Sequence, residues 1–148
     1  MQIGYDGCVA LTGVAQAIFR DIATELVESS SLLQLDLNGR EASAGDTVSV
    51  LATAAHLTSP FDAYCVVEDP AGALFSLGLD GAVMPGIAPL VRDAPFVSNP
   101  VTVALYQAPL PPATRQGRYR VTLGICDTGA RPSLRSAREL RQDWIDVR

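Results

Sequence analysis

The chain has 148 residues and a mass of 15.6 kDa, which suits one domain with its own hydrophobic core. Its 11 basic residues are all arginine, and 16 acidic residues bring the formal net charge to −5. This balance excludes a protein that coats DNA or RNA, because such proteins need a basic face. A hydrophobic content of 48% also excludes a disordered chain.

The N-terminal residues lack the pattern of a secretory signal peptide. Asp6 is acidic, and the first basic residue is Arg20. The apolar run between them is shorter than the about 20 residues that span a bilayer. The sequence therefore predicts a protein that is made in the cytoplasm and has no membrane span.

Residues 12–28 have the apolar period of an amphipathic α-helix, with Thr12 as a candidate N-cap. We expect this helix either to cover one face of its own domain or to dock on a neighbouring copy. Residues 1–31 are thus predicted to form an N-terminal arm and helix, and residues 32–148 a separate domain. The candidate interface residues on the apolar stripe are Val14, Ile18, Phe19, Ile22 and Leu26.

From Leu33 onward, apolar residues alternate with polar ones, which is typical of β-strands. Glycine and proline at 78–100 predict a long loop, and the arginines of 133–142 predict a short helix. Seven short strands separated by turn residues favour a mainly β fold, an antiparallel β-sandwich. The predicted strands are 33–37, 47–53, 61–68, 73–77, 100–106, 117–126 and 144–147.

Five short turn-and-strand motifs follow one another along residues 44–148. They are Gly45-Asp46-Thr47, Asp62-Ala63-Tyr64, Pro70-Ala71-Gly72, Gly117-Arg118-Tyr119 and Asp127-Thr128-Gly129. In this order they resemble a bacterial immunoglobulin-like module. The resemblance implies an immunoglobulin-like sandwich of about seven strands that serves as a spacer or binding domain, usually in secreted or cell-surface proteins.

The opening segment has a second resemblance. Residues 7–19, GCVALTGVAQAIF, are similar to the beginnings of small proteins from phage and prophage gene clusters. This resemblance implies a virion component. Such a protein is made in the cytoplasm and works outside the cell, so it reconciles a mostly extracellular sandwich type with the lack of a secretion signal.

Three cysteines, Cys8, Cys65 and Cys126, form no CxxC pair. An odd number without that spacing predicts neither a zinc site nor a disulfide framework. We expect Cys65 and Cys126 to be buried free thiols, with a disulfide between them as the alternative. A nucleophilic cysteine is disfavoured because His56 has no carboxylate near it in the sequence.

Two groups of charged residues come together if strands 61–68 and 117–126 are antiparallel neighbours. Glu68 and Asp69 then lie near Arg118 and Arg120, which predicts surface ion pairs. The second group contains Asp62 and Asp127. Carboxylates on loops at the end of a sandwich suit a hard cation, so half of a Ca²⁺ site is an alternative there.

Arginines at 131, 135, 138 and 141 predict a local basic face that is either solvated or paired with another subunit. No catalytic, cofactor-binding or metal-binding residue is predicted. We expect a non-enzymatic structural protein that packs with copies of itself or with a larger partner in a virion, through helix 12–28 and loop 78–100. The alternative is a carbohydrate-binding or adhesive module with a glycan ligand on its loops.

Overall fold

The computed structural model describes residues 32–57, 60–95, 97 and 99–148. The predicted helix over 12–28 lies outside these ranges and stays a prediction. The same holds for its candidate interface residues Val14, Ile18, Phe19, Ile22 and Leu26, and for Cys8.

The described residues form a mainly β structure of ten strands in two sheets. The smaller sheet has the order β1-β3-β8, and the larger one β2-β10-β9-β4-β5-β6, with β7 beside β4. This confirms a β-rich, sandwich-like fold. The strands are β1 (Leu32–Leu37), β2 (Glu41–Ala42), β3 (Thr47–Ala55), β4 (Phe61–Glu68), β5 (Leu74–Leu77), β6 (Val83–Pro85), β7 (Val91–Ala94), β8 (Val101–Pro109), β9 (Gly117–Asp127) and β10 (Ala137–Val147).

The hydrophobic core contains the alternate side chains of both sheets. In the smaller sheet, β3 buries Val48 and Val50, and β8 buries Leu105 completely. In the larger sheet, β4 and β9 bury Cys65 and Leu123, which are opposite each other in the register. Complete burial of a Leu or Val side chain stabilises the fold by about 1.5–3 kcal/mol, so this alternation is the main reason for the two-layer arrangement.

The predicted helix over 133–142 is wrong, because residues 137–147 form β10. This strand pairs antiparallel with β9, from Ala137 opposite Cys126 to Val147 opposite Gly117. The backbone hydrogen bonds to β9 and the burial of Ile145 and Val147 override the helical spacing of the arginines. The predicted strand 144–147 is the end of this longer strand.

The predicted loop 78–100 contains two short strands. Residues 83–85 form β6, which pairs with β5, and residues 91–94 form β7, which pairs with the beginning of β4. Their three and four residues are too short for a visible alternation pattern. The loop therefore extends the larger sheet at its edge.

Two of the sequence motifs meet at the beginning of β9. Gly117 has a φ of 128°, in the region that favours glycine, and a Cβ at this position would lie 2.7 Å from Pro70. The close approach places the turn after β4 directly against the start of β9. Gly117 is thus required both for its backbone conformation and for its lack of a side chain.

We expect Gly117→Ala to lower the free energy of unfolding by about 2 kcal/mol or more, since strain and a clash with Pro70 add together. Gly72→Ala is the matched control. Gly72 also has a positive φ, 87°, but nothing lies within 4 Å of its Cβ position, so it should lose only about 1 kcal/mol. Urea unfolding measures both values, and equal losses would contradict the role of the Pro70 contact.

Candidate functional site

The outer face of the larger sheet, turned away from the core, carries a groove of about 370 Å³. Alternate residues of β4, β9 and β10 form its floor, because successive side chains of a strand point to opposite faces. An antiparallel sheet with one solvated face is normally polar on that face. This groove is largely apolar instead, with Tyr64, Val66, Thr122, Gly124, Leu134 and Leu140 among its lining residues. We call it the outer groove.

Ser76 fastens the loop on one side of the outer groove. Its side chain is fully buried, its Oγ donates to the carbonyl of Gly86 at 2.8 Å, and it accepts the N–H of Ala88 at 2.7 Å. Both hydrogen bonds tie residues 86–88 to β5. Ile87, which lies between the two anchor points, lines the outer groove and is 50% exposed.

Ser136 organises the loop on the other side. Its Oγ donates to the carbonyl of Arg131 at 2.6 Å and accepts the N–H of Ser133 at 2.9 Å. It also lies 3.8 Å from the Sγ of Cys126 on β9. The loop presents Leu134, whose side chain is 72% exposed, at the margin of the outer groove.

Trp144 lies on β10 and is 40% exposed. The guanidinium carbons of Arg40 and Arg118 are 4.2 and 5.2 Å from the centroid of its ring. Such cation–π contacts are worth about 0.5–1 kcal/mol at exposed sites. Arg118 also makes two hydrogen bonds to Asp146, at 2.9 and 3.1 Å, which lower the pKa of that carboxyl.

The predicted ion-pair group is confirmed in part. Strands β4 and β9 are antiparallel neighbours, and Glu68 Oε1 lies 3.1 Å from Arg120 Nη1. Asp69 does not join this pair. Its Oδ1 accepts the N–H groups of Ala71 and Ala73, at 2.9 and 2.8 Å, and so holds the turn after β4.

The second predicted group, Asp62 and Asp127, has a structural role. Asp62 is 1% exposed, and its two carboxylate oxygens accept the N–H groups of Asp93, at 2.8 Å, and Gly129, at 3.0 Å. These two bonds lower its pKa. Asp127 pairs with Arg138 at 3.1 Å. Asp62 thus fastens two loops to β4, and its oxygens already hold N–H donors where a cation would have to bind.

The two described cysteines are both buried and free, as predicted. Cys65 faces the core, and burial raises the pKa of its thiol to about 12. Cys126 lines the outer groove on the opposite side of the sheet. Because Cys65 and Cys126 face opposite sides of the sheet, they form no disulfide. The thiol of Cys65, with so high a pKa, is unreactive at neutral pH.

The predicted basic face does not form on one side of a helix. Arg138 pairs with Asp127, and Arg141 Nη2 lies 3.8 Å from Glu139 Oε1 on the same strand. In the described part of the chain, no three His, Cys, Asp or Glu side chains come together in a way that would hold a metal ion. Nor does that part contain a helix with the length and hydropathy for crossing a membrane.

We expect Asp62→Asn to lower the free energy of unfolding at pH 7 by about 2 kcal/mol, because one buried N–H group loses its acceptor. The pKa of Asp62 is lower in the folded state than in the unfolded state. Its contribution to the free energy of unfolding is therefore complete above the unfolded-state pKa and is lost as the pH falls through the folded-state pKa. The variant should therefore lose part of the pH dependence in the acid range. Asp36→Asn, on the exposed side of β1, is the control, and identical acid slopes in the two variants would contradict this role.

No protein-family model matches the chain, and no curated protein matches it. Among solved structures it is similar to two crystal structures of a β-glucosidase from Listeria innocua. The complex with isofagomine gives a TM-score of 0.41 at 12% identity, and the complex with gluconolactone 0.35 at 11%. Each match covers 80% of this chain but only 16% of the enzyme, and neither bears on activity.

Proposed function

We propose that this chain is a non-enzymatic structural protein, an immunoglobulin-like sandwich subunit that associates with copies of itself or with a larger structural partner. The observation that carries the proposal is the apolar outer groove, with Ile87 and Leu134 exposed at its margins. Exposed apolar side chains gathered around a groove mark an interaction site more often than scattered ones do. Trp144 and Arg118 lie on the same sheet, Arg40 directly precedes β2 of that sheet, and tryptophan and arginine are residue types enriched in interfaces.

Two contacts support the immunoglobulin-like assignment. The Oη of Tyr119, near the beginning of β9, donates to the carbonyl of Arg115 at 2.7 Å. A tyrosine at this place, bonded to the backbone a few residues upstream, is a feature of immunoglobulin-like sandwiches. The contact of Gly117 with Pro70 also joins two of the motifs that carry the resemblance.

The non-enzymatic character is supported by what the acidic side chains already do. Asp62 accepts backbone N–H groups, Glu68 pairs with Arg120, and Asp146 pairs with Arg118. Carboxylates engaged in this way are held in structural roles. The assignment to a virion, or to another extracellular assembly, rests on the resemblance of residues 7–19 alone.

A carbohydrate-binding or adhesive module is the second candidate. Sugar-binding sandwiches present exposed aromatic rings, and Trp144, at 40% exposure, is such a ring in the described part of the chain. Its ring is already in contact with Arg40 and Arg118, which leaves less of it for stacking on a sugar. Binding of one defined ligand on a glycan array, lost in Trp144→Ala, would place this function first.

We expect light scattering over a dilution series to give a stable multiple of 15.6 kDa for the full chain. Leu134→Glu should raise the dissociation constant by about tenfold or more, because it places a charge on an apolar contact. Leu79→Glu is the matched control, since Leu79 is 52% exposed and does not line the outer groove.

A monomer at every concentration would contradict self-association, and a foreign partner would then have to be found. A stable oligomer that Leu134→Glu leaves intact would instead move the interface away from the outer groove. Deletion of residues 1–30 then tests the predicted stripe of Val14, Ile18, Phe19, Ile22 and Leu26.

A further inference from the structure

We propose that the open side of the sandwich, between the free edge of β8 and strands β5 and β6, is a site of β-strand addition. Its occupant is an extended segment of a different polypeptide, uncharged over the paired stretch and apolar at alternate positions. This surface is separate from the outer groove, which lies on the opposite face of the larger sheet. Failure of either proposal therefore leaves the other standing.

The first observation is one edge of β8, which is unpaired in the part of the chain that the structure describes. In the smaller sheet β8 is the last strand, and in the described residues it pairs only with β3, from Pro109 opposite Thr47 to Val101 opposite Ala54. About every second residue of this nine-residue strand thus turns its main-chain N–H and C=O away from β3. An exposed edge of this kind is a template for another strand.

Charge does not protect this edge. No residue from 94 to 114 is charged, so β8 and both of its flanks lack the charged side chains that natural edges use against pairing. One β-bulge interrupts the strand, because Val50 is opposite Tyr106 while Leu51 is opposite Ala104. The extra residue, Leu105, points into the core and is fully buried. The bulge bends the edge without covering it.

The second observation is an apolar cleft of about 540 Å³ that adjoins this edge. Its inner end is made of core residues that are almost fully buried, such as Val50 and Leu77. Its outer margin reaches Val83 on β6, which is 52% exposed. Tyr106 and Leu110 belong to both features, since they line the cleft and lie on or just beyond β8. We call this space the side cleft.

The hydroxyl and carboxylate groups that line the side cleft are bonded to nearby backbone, and one arginine, Arg115, lines the cleft from an exposed position. Tyr119 Oη donates to the carbonyl of Arg115, and Thr114 Oγ1 donates to the carbonyl of Pro111. Asp69 accepts two N–H groups of its own turn. Recognition of a sugar or another polar small molecule needs polar groups that are free to bond. The side cleft offers apolar surface, and the adjacent edge offers main-chain groups.

One added strand can pair with the edge of β8 and fill the side cleft at the same time. Its backbone pairs with β8, while every second side chain points between the two sheets into the side cleft. Protein interiors leave few voids larger than a water molecule, so a cleft this deep favours an apolar occupant. A strand without charge over the buried stretch is required, because the buried residues that line the cleft are all apolar and its basic residue, Arg115, is exposed.

The test uses the full chain and a fluorescent peptide as long as β8, 9 residues of alternating valine and threonine, with arginines outside this stretch for solubility. The control peptide has the same sequence with alternate backbone amides N-methylated, which removes its hydrogen bonds to an edge. We expect anisotropy to show saturable binding of the first peptide and about tenfold or weaker binding of the second. Hydrogen exchange should slow within residues 101–109 when the first peptide binds.

Two variants locate the binding. Val83→Glu places a charge at the margin of the side cleft and should weaken peptide binding by about tenfold or more. Ile87→Glu is the matched control, because Ile87 has nearly the same exposure, 50%, but lines the outer groove. Both positions are exposed, so both variants should fold.

Four results of the peptide experiments would overturn the proposal. These are no saturable binding, equal binding of the N-methylated peptide, equal effects of the two variants, or unchanged exchange in residues 101–109. A chain that is already dimeric and becomes monomeric in Val83→Glu would make a second copy the occupant, and the assignment of a foreign strand would be wrong.

Discussion

The antiparallel pairing of β4 with β9 determines where every surface of this structure lies. It runs without interruption from Phe61 opposite Asp127 to Glu68 opposite Arg120. Because strand side chains alternate, this register sends Cys65 and Leu123 into the core together. A slip by one residue would bring the outward residues of one strand into the core. The hydrophobic core, the outer groove and the side cleft all depend on this single register.

The parts of the fold with strong local patterns were predictable. Strand β4 has the predicted bounds, 61–68, because a bulky apolar segment ends there at the turn Asp69-Pro70. Strand β9 alternates clearly and was predicted to within one residue. Placing these two strands side by side was enough to predict the pair of Glu68 with Arg120. Local pattern and pairing point to the same structure here.

Other features depend on distant contacts that leave no local signal. Strand β10 contains arginines at helical spacing, and only its long pairing with β9 makes it a strand. Asp62 bonds to Asp93 and Gly129, which are 31 and 67 residues away in the chain. An aspartate inside a strand gives no indication of such partners. The exposure of Leu134 likewise follows from the turn that Ser136 holds together.

The distribution of charge distinguishes the edge at β2 from the edge at β8. Beside the short strand β2, Arg148 pairs with Glu41 at 2.6 Å and Arg40 pairs with Asp143 at 2.7 Å, so this edge is both brief and charged. The edge of β8 is long and uncharged. In a chain without lysine, only arginine and the acidic residues can protect an edge by charge. The described ion pairs all lie around the larger sheet, and none of them involves β8. Contacts on the β2 side should therefore weaken with salt, whereas pairing at β8 relies on hydrogen bonds and apolar burial, which salt screens little.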